Sequence, residues 1–127
     1  MKFARIVYLI AGVYGILAIA PMYFLEKTMA QQTLPFNHPE FFYGFLGVTL
    51  AWQIAFLIIS TDPARYRPLM FAACVEKLSF GAAVAALYAL NRVAMSMVAA
   101  AGIDIVLLVL FLIALAKTAP GRQEPST

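Results

Sequence analysis

Cysteine, histidine and charge are all scarce here: 127 residues include one Cys, one His and only 12% Asp, Glu, Lys and Arg combined. Each shortage excludes something. Cys74 alone cannot close an intrachain disulfide, form a CxxC redox pair or build a thiolate metal cluster, so a dithiol oxidoreductase is excluded. In its apolar run it reads as a small packing residue. His38 alone cannot give two axial haem ligands from one chain, and zinc would need an unusual carboxylate set. HExxH, GxGxxG, the P-loop and GxSxG are missing, and with them the common metalloprotease, nucleotide and serine-hydrolase signatures. The sequence therefore points to no metal and no cofactor. The shortage of charge excludes most. Soluble domains carry about 25% charged residues, and half that proportion cannot clothe a water-facing surface.

What is abundant is apolar surface, at 64% of the residues. It falls into four runs, at about 3–25, 40–60, 68–90 and 95–117. At 1.5 Å per residue each can cross a hydrocarbon core of about 30 Å. The expected fold is all-α: an integral membrane four-helix bundle, one domain over residues 1–119, with a flexible polar tail at 120–127. The first run begins like a signal peptide, with Lys2 and Arg5 ahead of the apolar stretch and Ala18-Ile19-Ala20 as a cleavage-like site. Pro21 just past that site, and the continuation through Tyr23, Phe24 and Leu25, favour a retained span.

The connections carry start and stop signals. EKTMAQQTLPFNH, residues 26–38, mixes polar groups with Met29, Leu34 and Phe36, which suits a segment at headgroup level. Asn37 or His38 can cap the second helix, with Pro39 near its first position and Glu40 in its first turn. Capping or solvent exposure is the ordinary role for His38, against a role at the mouth of a site. Phe41, Phe42 and Tyr43 fit an interfacial aromatic belt. Asp62-Pro63 opens the turn before the third span, Asn91 and Arg92 lie before the fourth, and Ala119-Pro120-Gly121 stops the last helix.

Four crossings put both termini on one side. With both inside, that side receives Lys2, Arg5, Arg65, Arg67, Lys117 and Arg122, and the other receives Lys27 and Arg92. This six-to-two bias favours N-in, C-in by the positive-inside rule. The net charge of +3 is thus spread beside the spans. There is no basic domain to hold a phosphate backbone, so nucleic acid is not an expected partner. Membrane lipids are.

Three ionisable residues lie at the wrong depth for lipid: Glu76 and Lys77 near the middle of span three, Asp104 near the middle of span four. Facing lipid, each would cost at least about 2.5–3.5 kcal/mol, so they must face protein, a wet cavity or a neutralising partner. Helix rise places Glu76 about 4.5 Å and Lys77 about 3 Å to one side of the midplane, and Asp104 within about 3 Å on the other. Lys77 and Asp104 are then roughly 6 Å apart in height, within reach of a flexible lysine. Gln53, Tyr14, Thr49 and Ser79 fall at similar depths, which makes a shared polar core geometrically feasible. Lys77 is turned about 100° from Glu76, so the expected arrangement is Lys77 to Asp104 at the seam of spans three and four, with Glu76 facing span two or a cavity. The candidate ligand or ion site is accordingly Glu76, Lys77, Asp104, Gln53, Tyr14, Ser79 and Thr49. Gly44, Gly47, Ala51 and Ala55 form a small-residue stripe suited to close helix contact, within the chain or with another chain as a homodimer or larger membrane complex. Phe45, Trp52, Phe56 and Phe80 offer apolar surface, though packing is the commoner job of such residues.

Across residues 38–81, the segments FFYGF, AWQ, RYRP and EKLSFG resemble small, uncharacterised bacterial four-span integral membrane proteins. The resemblance implies residence in the cell inner membrane as a multi-pass protein and carries no residue roles. Length and span number are also similar to the small multidrug transporters, which work as dimers around a carboxylate in the first span. Here the first span has no acid, and the mid-membrane carboxylates are Glu76 and Asp104.

Three functional readings follow. A binding or accessory protein would hold a lipid or apolar small molecule at the polar cluster. A proton- or ion-coupled transporter would act as a dimer with Glu76 as its switch. An intramembrane enzyme comes third, because an acid, a base and a tyrosine are compatible with proton transfer but form no reaction signature. Against all three stands a plain structural role, with Lys77 and Asp104 holding two helices together.

Overall fold

A computed structural model describes residues 2–25, 39–93 and 95–119. All the regular structure in these residues is helical. α1 spans Lys2–Ile19 and continues as a 3₁₀ turn over Ala20–Phe24, α2 spans Pro39–Thr61, α3 Arg67–Ala89 and α4 Met95–Lys117. Each of the four is long and apolar enough to cross a membrane, α1 together with its 3₁₀ extension. The expected caps at Asn37 and His38, the headgroup-level reading of 26–38 and the polar tail at 120–127 lie outside the described residues.

Local signals explain the boundaries. Pro21 has no N–H for the carbonyl four residues back, and there the α-helix tightens to 3₁₀. Glu40 lies in the first turn of α2, where an acid complements the helix dipole. Asp62 takes the turn into α3: its side chain accepts from the Arg65 N–H at 3.3 Å and its carbonyl from the Tyr66 N–H at 3.1 Å. Pro68 then sits in the first turn of α3, where its missing N–H costs nothing. At the other end of α3, Asn91 adopts a left-handed conformation with φ 56°. The Asn91 N–H donates to Tyr88 O at 2.9 Å and the Arg92 N–H to Leu87 O at 2.8 Å, the two bonds of a Schellman stop.

The helices run alternately up and down. α1 packs closely on α2, α3 on α4, and α1 on α4, whereas α2 and α3 approach each other far less. Glycine sets the two closest approaches. A Cβ on Gly12 or Gly15 would overlap Leu57 or Gln53 of α2, and one on Gly81 would overlap Ile105 of α4. Gly44 and Gly47 of the Gly44–Ala55 stripe make no such approach among the described residues. Among the described residues a Cβ on Gly44 would meet nothing, one on Gly47 would meet the Tyr23 hydroxyl at 3.7 Å, and Ala51 is exposed.

The core lies in the half of the bundle that holds the two termini and the turn at 62–66. Tyr8 stacks on Phe111 (centroids 4.3 Å, 15°), and Phe56 meets both rings edge-on at 6.0 and 5.1 Å. Ala4, Ala11, Ile59, Met70, Ala73 and Ala114 fill in around them. Polar ties close this end. Arg67 Nη2 donates to Leu115 O at 3.1 Å, the Thr118 hydroxyl to Ala114 O at 2.9 Å, and the Lys117 ammonium sits 4.6 Å from the Phe3 ring centroid. Large exposed apolar side chains, among them Leu17, Val48, Val75, Val106 and Leu112, are spread around the outside. That suits contact with lipid tails, since in water so much apolar surface would drive association.

Candidate functional site

Above the aromatic core, toward the end with the 26–38 and 90–94 connections, the packing opens. Lys77 marks the boundary. It projects from the buried face of α3, which runs Ala73, Cys74, Lys77, Gly81, Val84, and it is only 4% exposed. Its ammonium lies 5.3 Å from the Phe56 ring centroid, resting on the aromatic layer. It donates to Asp104 Oδ1 of α4 at 3.0 Å and stands 3.6 Å from Glu76 Oε2. Thus one cation faces two carboxylates, the nearer of them across the α3–α4 seam.

Glu76, one residue back and turned toward α2, is placed differently. Its Oε2 is buried and accepts no hydrogen bond. Gln53 of α2, 2% exposed, is the second incompletely bonded group. Its Nε2 donates to the Thr49 carbonyl at 2.9 Å, and its Oε1, lying against Gly15, has no partner. Because a backbone carbonyl can only accept, that bond fixes which amide atom is nitrogen. The oxygen is therefore an unmatched acceptor.

These groups line a cavity of about 190 Å³ together with Tyr14, Thr49, Met97 and Ala100. At about 30 Å³ per liquid water, that is room for a headgroup or a few waters. Outside it, along the seam of α2 and α3, runs a shallow and mostly apolar groove of about 600 Å³ that includes Val48, Trp52, Ala72, Val75 and Ser79. Four residues border both spaces: Phe45 and Thr49 from α2, Glu76 and Phe80 from α3. The two phenylalanines face each other across the seam at 6.5 Å between centroids. The groove and the cavity adjoin here, with Glu76 between them.

The seven residues expected to share a polar core do not all meet. Glu76, Lys77, Asp104, Gln53, Thr49 and Tyr14 line the cavity. Ser79 lies on the outer groove, exposed, its hydroxyl spent on the Glu76 backbone carbonyl at 3.0 Å. Of the aromatics, Phe45 and Phe80 border both spaces and Trp52 lines the groove, while Phe56 belongs to the core beneath. Met97, Ala100 and Gly15 are wall residues that sequence reasoning passed over. The run Ala4, Ala11, Gly12, Gly15, Ala18 was the available signal, small residues at helical spacing on one face of α1.

Fold and site together define a small multi-pass bundle of apolar helices with a buried Lys–Asp/Glu cluster. No family model matches the chain, and no curated protein or solved structure matches it either.

Proposed function

We propose that this protein binds a membrane-dissolved apolar molecule bearing a small polar head, which enters sideways from the bilayer between α2 and α3. One observation carries the reading: Glu76, with an oxygen that has no hydrogen bond, borders both the inner cavity and the lipid-side groove. A carboxylate that served only to join helices would be paired within the seam, as Asp104 is. Intramembrane acids at such positions are functional candidates by default. The groove is open and apolar enough for a tail, and the cavity is head-sized.

The setting that best suits this reading is the bacterial inner membrane with both termini cytoplasmic. The terminal end carries Lys2, Arg5, Arg65, Arg67 and Lys117 among the described residues, and the opposite end Arg92. In that orientation the cavity lies in the outer half of the bilayer. Fusing a reporter enzyme active on one side only to each terminus tests this, and a C-terminal reporter active outside would reverse it.

Purified in native lipid, the protein is expected to retain one compound reproducibly, detectable by native mass spectrometry. Glu76→Gln is expected to lose it while keeping the fold. Full retention of the compound by folded Glu76→Gln removes Glu76 from the site.

Coupled transport by a dimer is the second reading. The exposed Gly44, Gly47 and Ala51 surface favours it, since small residues facing outward permit close approach of another chain. It further requires the Tyr8–Phe56–Phe111 layer to open, because transport needs access from both sides. A catalytic role is third and would need a nucleophile or cofactor brought to Glu76.

A further inference from the structure

The binding reading leaves the head of the molecule undefined, and the cavity walls constrain it. We infer that the ligand is an amphiphilic amine whose protonated nitrogen donates hydrogen bonds to Glu76 and Gln53, its tail leaving between Phe45 and Phe80. This inference rests on the binding reading and narrows it.

Two independent observations carry it. The first is the pattern of unmet hydrogen bonds. Among the described cavity-lining side chains, the buried atoms without a hydrogen bond are Gln53 Oε1 and Glu76 Oε2, the latter only ion-paired with Lys77 at 3.6 Å. With Glu76 as a carboxylate, both accept and neither donates, so the matching head must donate. A carbonyl, ether or quaternary ammonium head offers no such hydrogen. The second is charge. Among the described residues Lys77 is the one cationic side chain lining the cavity, against Glu76 and Asp104, and its short contact is with Asp104, at 3.0 Å against 3.6 Å for Glu76. One ammonium cannot fully compensate two carboxylates in a low-dielectric interior. A second ammonium beside Glu76 would balance the cluster and supply the missing donors at once. An anionic head would worsen both mismatches.

The adjoining groove explains how a cation can be held at this depth. The tail stays in the apolar groove, where Val48, Trp52 and Val75 take the place of lipid chains, and only the head passes Phe45 and Phe80. Ammonium beside aromatic faces is favourable in its own right.

Trp52 is the only tryptophan in the chain and lines the groove, so it reports occupancy directly. The experiment uses the full chain in lipid nanodiscs with four 12-bromododecyl probes, ending in a primary amine, an alcohol, a trimethylammonium or a carboxylate. Bromine quenches Trp52 when a tail occupies the groove, and each probe is titrated by its mole fraction in the bilayer. The primary amine is expected to quench at a mole fraction about tenfold below the other three. Glu76→Gln should erase that preference, and Gln53→Met should weaken it about threefold. If Glu76→Gln fails to fold, Gln53→Met and the four-probe comparison in the native chain still decide. Equal saturable quenching by the alcohol, the trimethylammonium or the carboxylate overturns the amine inference and leaves the binding reading standing. Only shallow, unsaturable quenching by all four overturns both.

Discussion

The two halves of this bundle solve the same problem in opposite ways. At the terminal end three aromatic rings from α1, α2 and α4 interlock with small residues, and Arg67 and Thr118 reach backbone carbonyls, while the Tyr8 hydroxyl and Arg67 Nε stay buried without a hydrogen bond. At the other end the same helices enclose a cavity with a charged floor, where Gln53 Oε1 and Glu76 Oε2 accept no hydrogen bond. In a membrane the tight half cannot be explained by exclusion of water. It depends on van der Waals contact and on close backbone approach. The loose half cannot be explained by packing at all. What sets it apart is a cavity lined by polar groups, with two carboxylates beside one ammonium, which is a cost to a fold and an asset to a binding site.

The largest expected effect comes from removing the group between the halves. Lys77→Ala leaves Glu76 and Asp104 buried together without a cation and should cost about 3–5 kcal/mol. Reversible unfolding in mixed micelles, followed by Trp52 emission, measures it. A loss below about 1 kcal/mol would show that the cluster is hydrated and would dissolve the contrast between floor and core. Next comes the dry half: Phe111→Ala opens the aromatic stack and should cost about 3 kcal/mol, the low end for a buried ring because lipid tails replace part of the lost contact. That variant should leave binding at the cavity intact.

Smaller effects separate the two carboxylates. Asp104→Asn removes the 3.0 Å pair, but Glu76 is already close to Lys77 and can take it over, so about 1–2 kcal/mol should be lost. Glu76→Gln keeps the Lys77–Asp104 pair and should change stability by less than about 1 kcal/mol while abolishing ligand retention. A thermal shift series in detergent ranks these two; the reverse order would mean that Glu76, and not Asp104, anchors the seam. Smallest is Ser79→Ala. Its hydroxyl bonds only its own helix, and neither stability nor binding should move beyond about 0.5 kcal/mol.

Much of the frame was legible in the sequence, and the reason is physical. Membrane thickness fixes helix length, so four apolar runs punctuated by proline and polar turns read as four helices. Charge at mid-depth is costly enough that Lys77 and Asp104 had to find each other, and simple helix rise brought them within reach. The inward faces were harder to read. When nearly every side chain is apolar, polarity no longer marks the buried side. Small residues then become the only guide, and they occur on several faces. Gly44 and Gly47 looked like a packing stripe, yet the close approaches use Gly12, Gly15 and Gly81. Phe56 was grouped with Phe45, Trp52 and Phe80 by type and adjacency, but only its rotation about α2 decides that it belongs to the core. The weak α2–α3 contact, which leaves the groove between them, is a property of four helices together and has no local signature.

The bond between Lys77 and Asp104 also bears on how the chain reaches the bilayer. The two residues sit on consecutive helices joined by a tight stop at Asn91, and α3 is the least apolar of the four while α4 is the most. Left alone at the insertion machinery, α3 would present a lysine and a glutamate to oil. Entering as a hairpin with α4, it arrives with the lysine already neutralised, so synthesis of the last helix should govern integration of the one before it. A released chain ending at Arg92 should then leave α3 accessible to water-soluble thiol reagents at Cys74, and a chain extended through α4 should bury it.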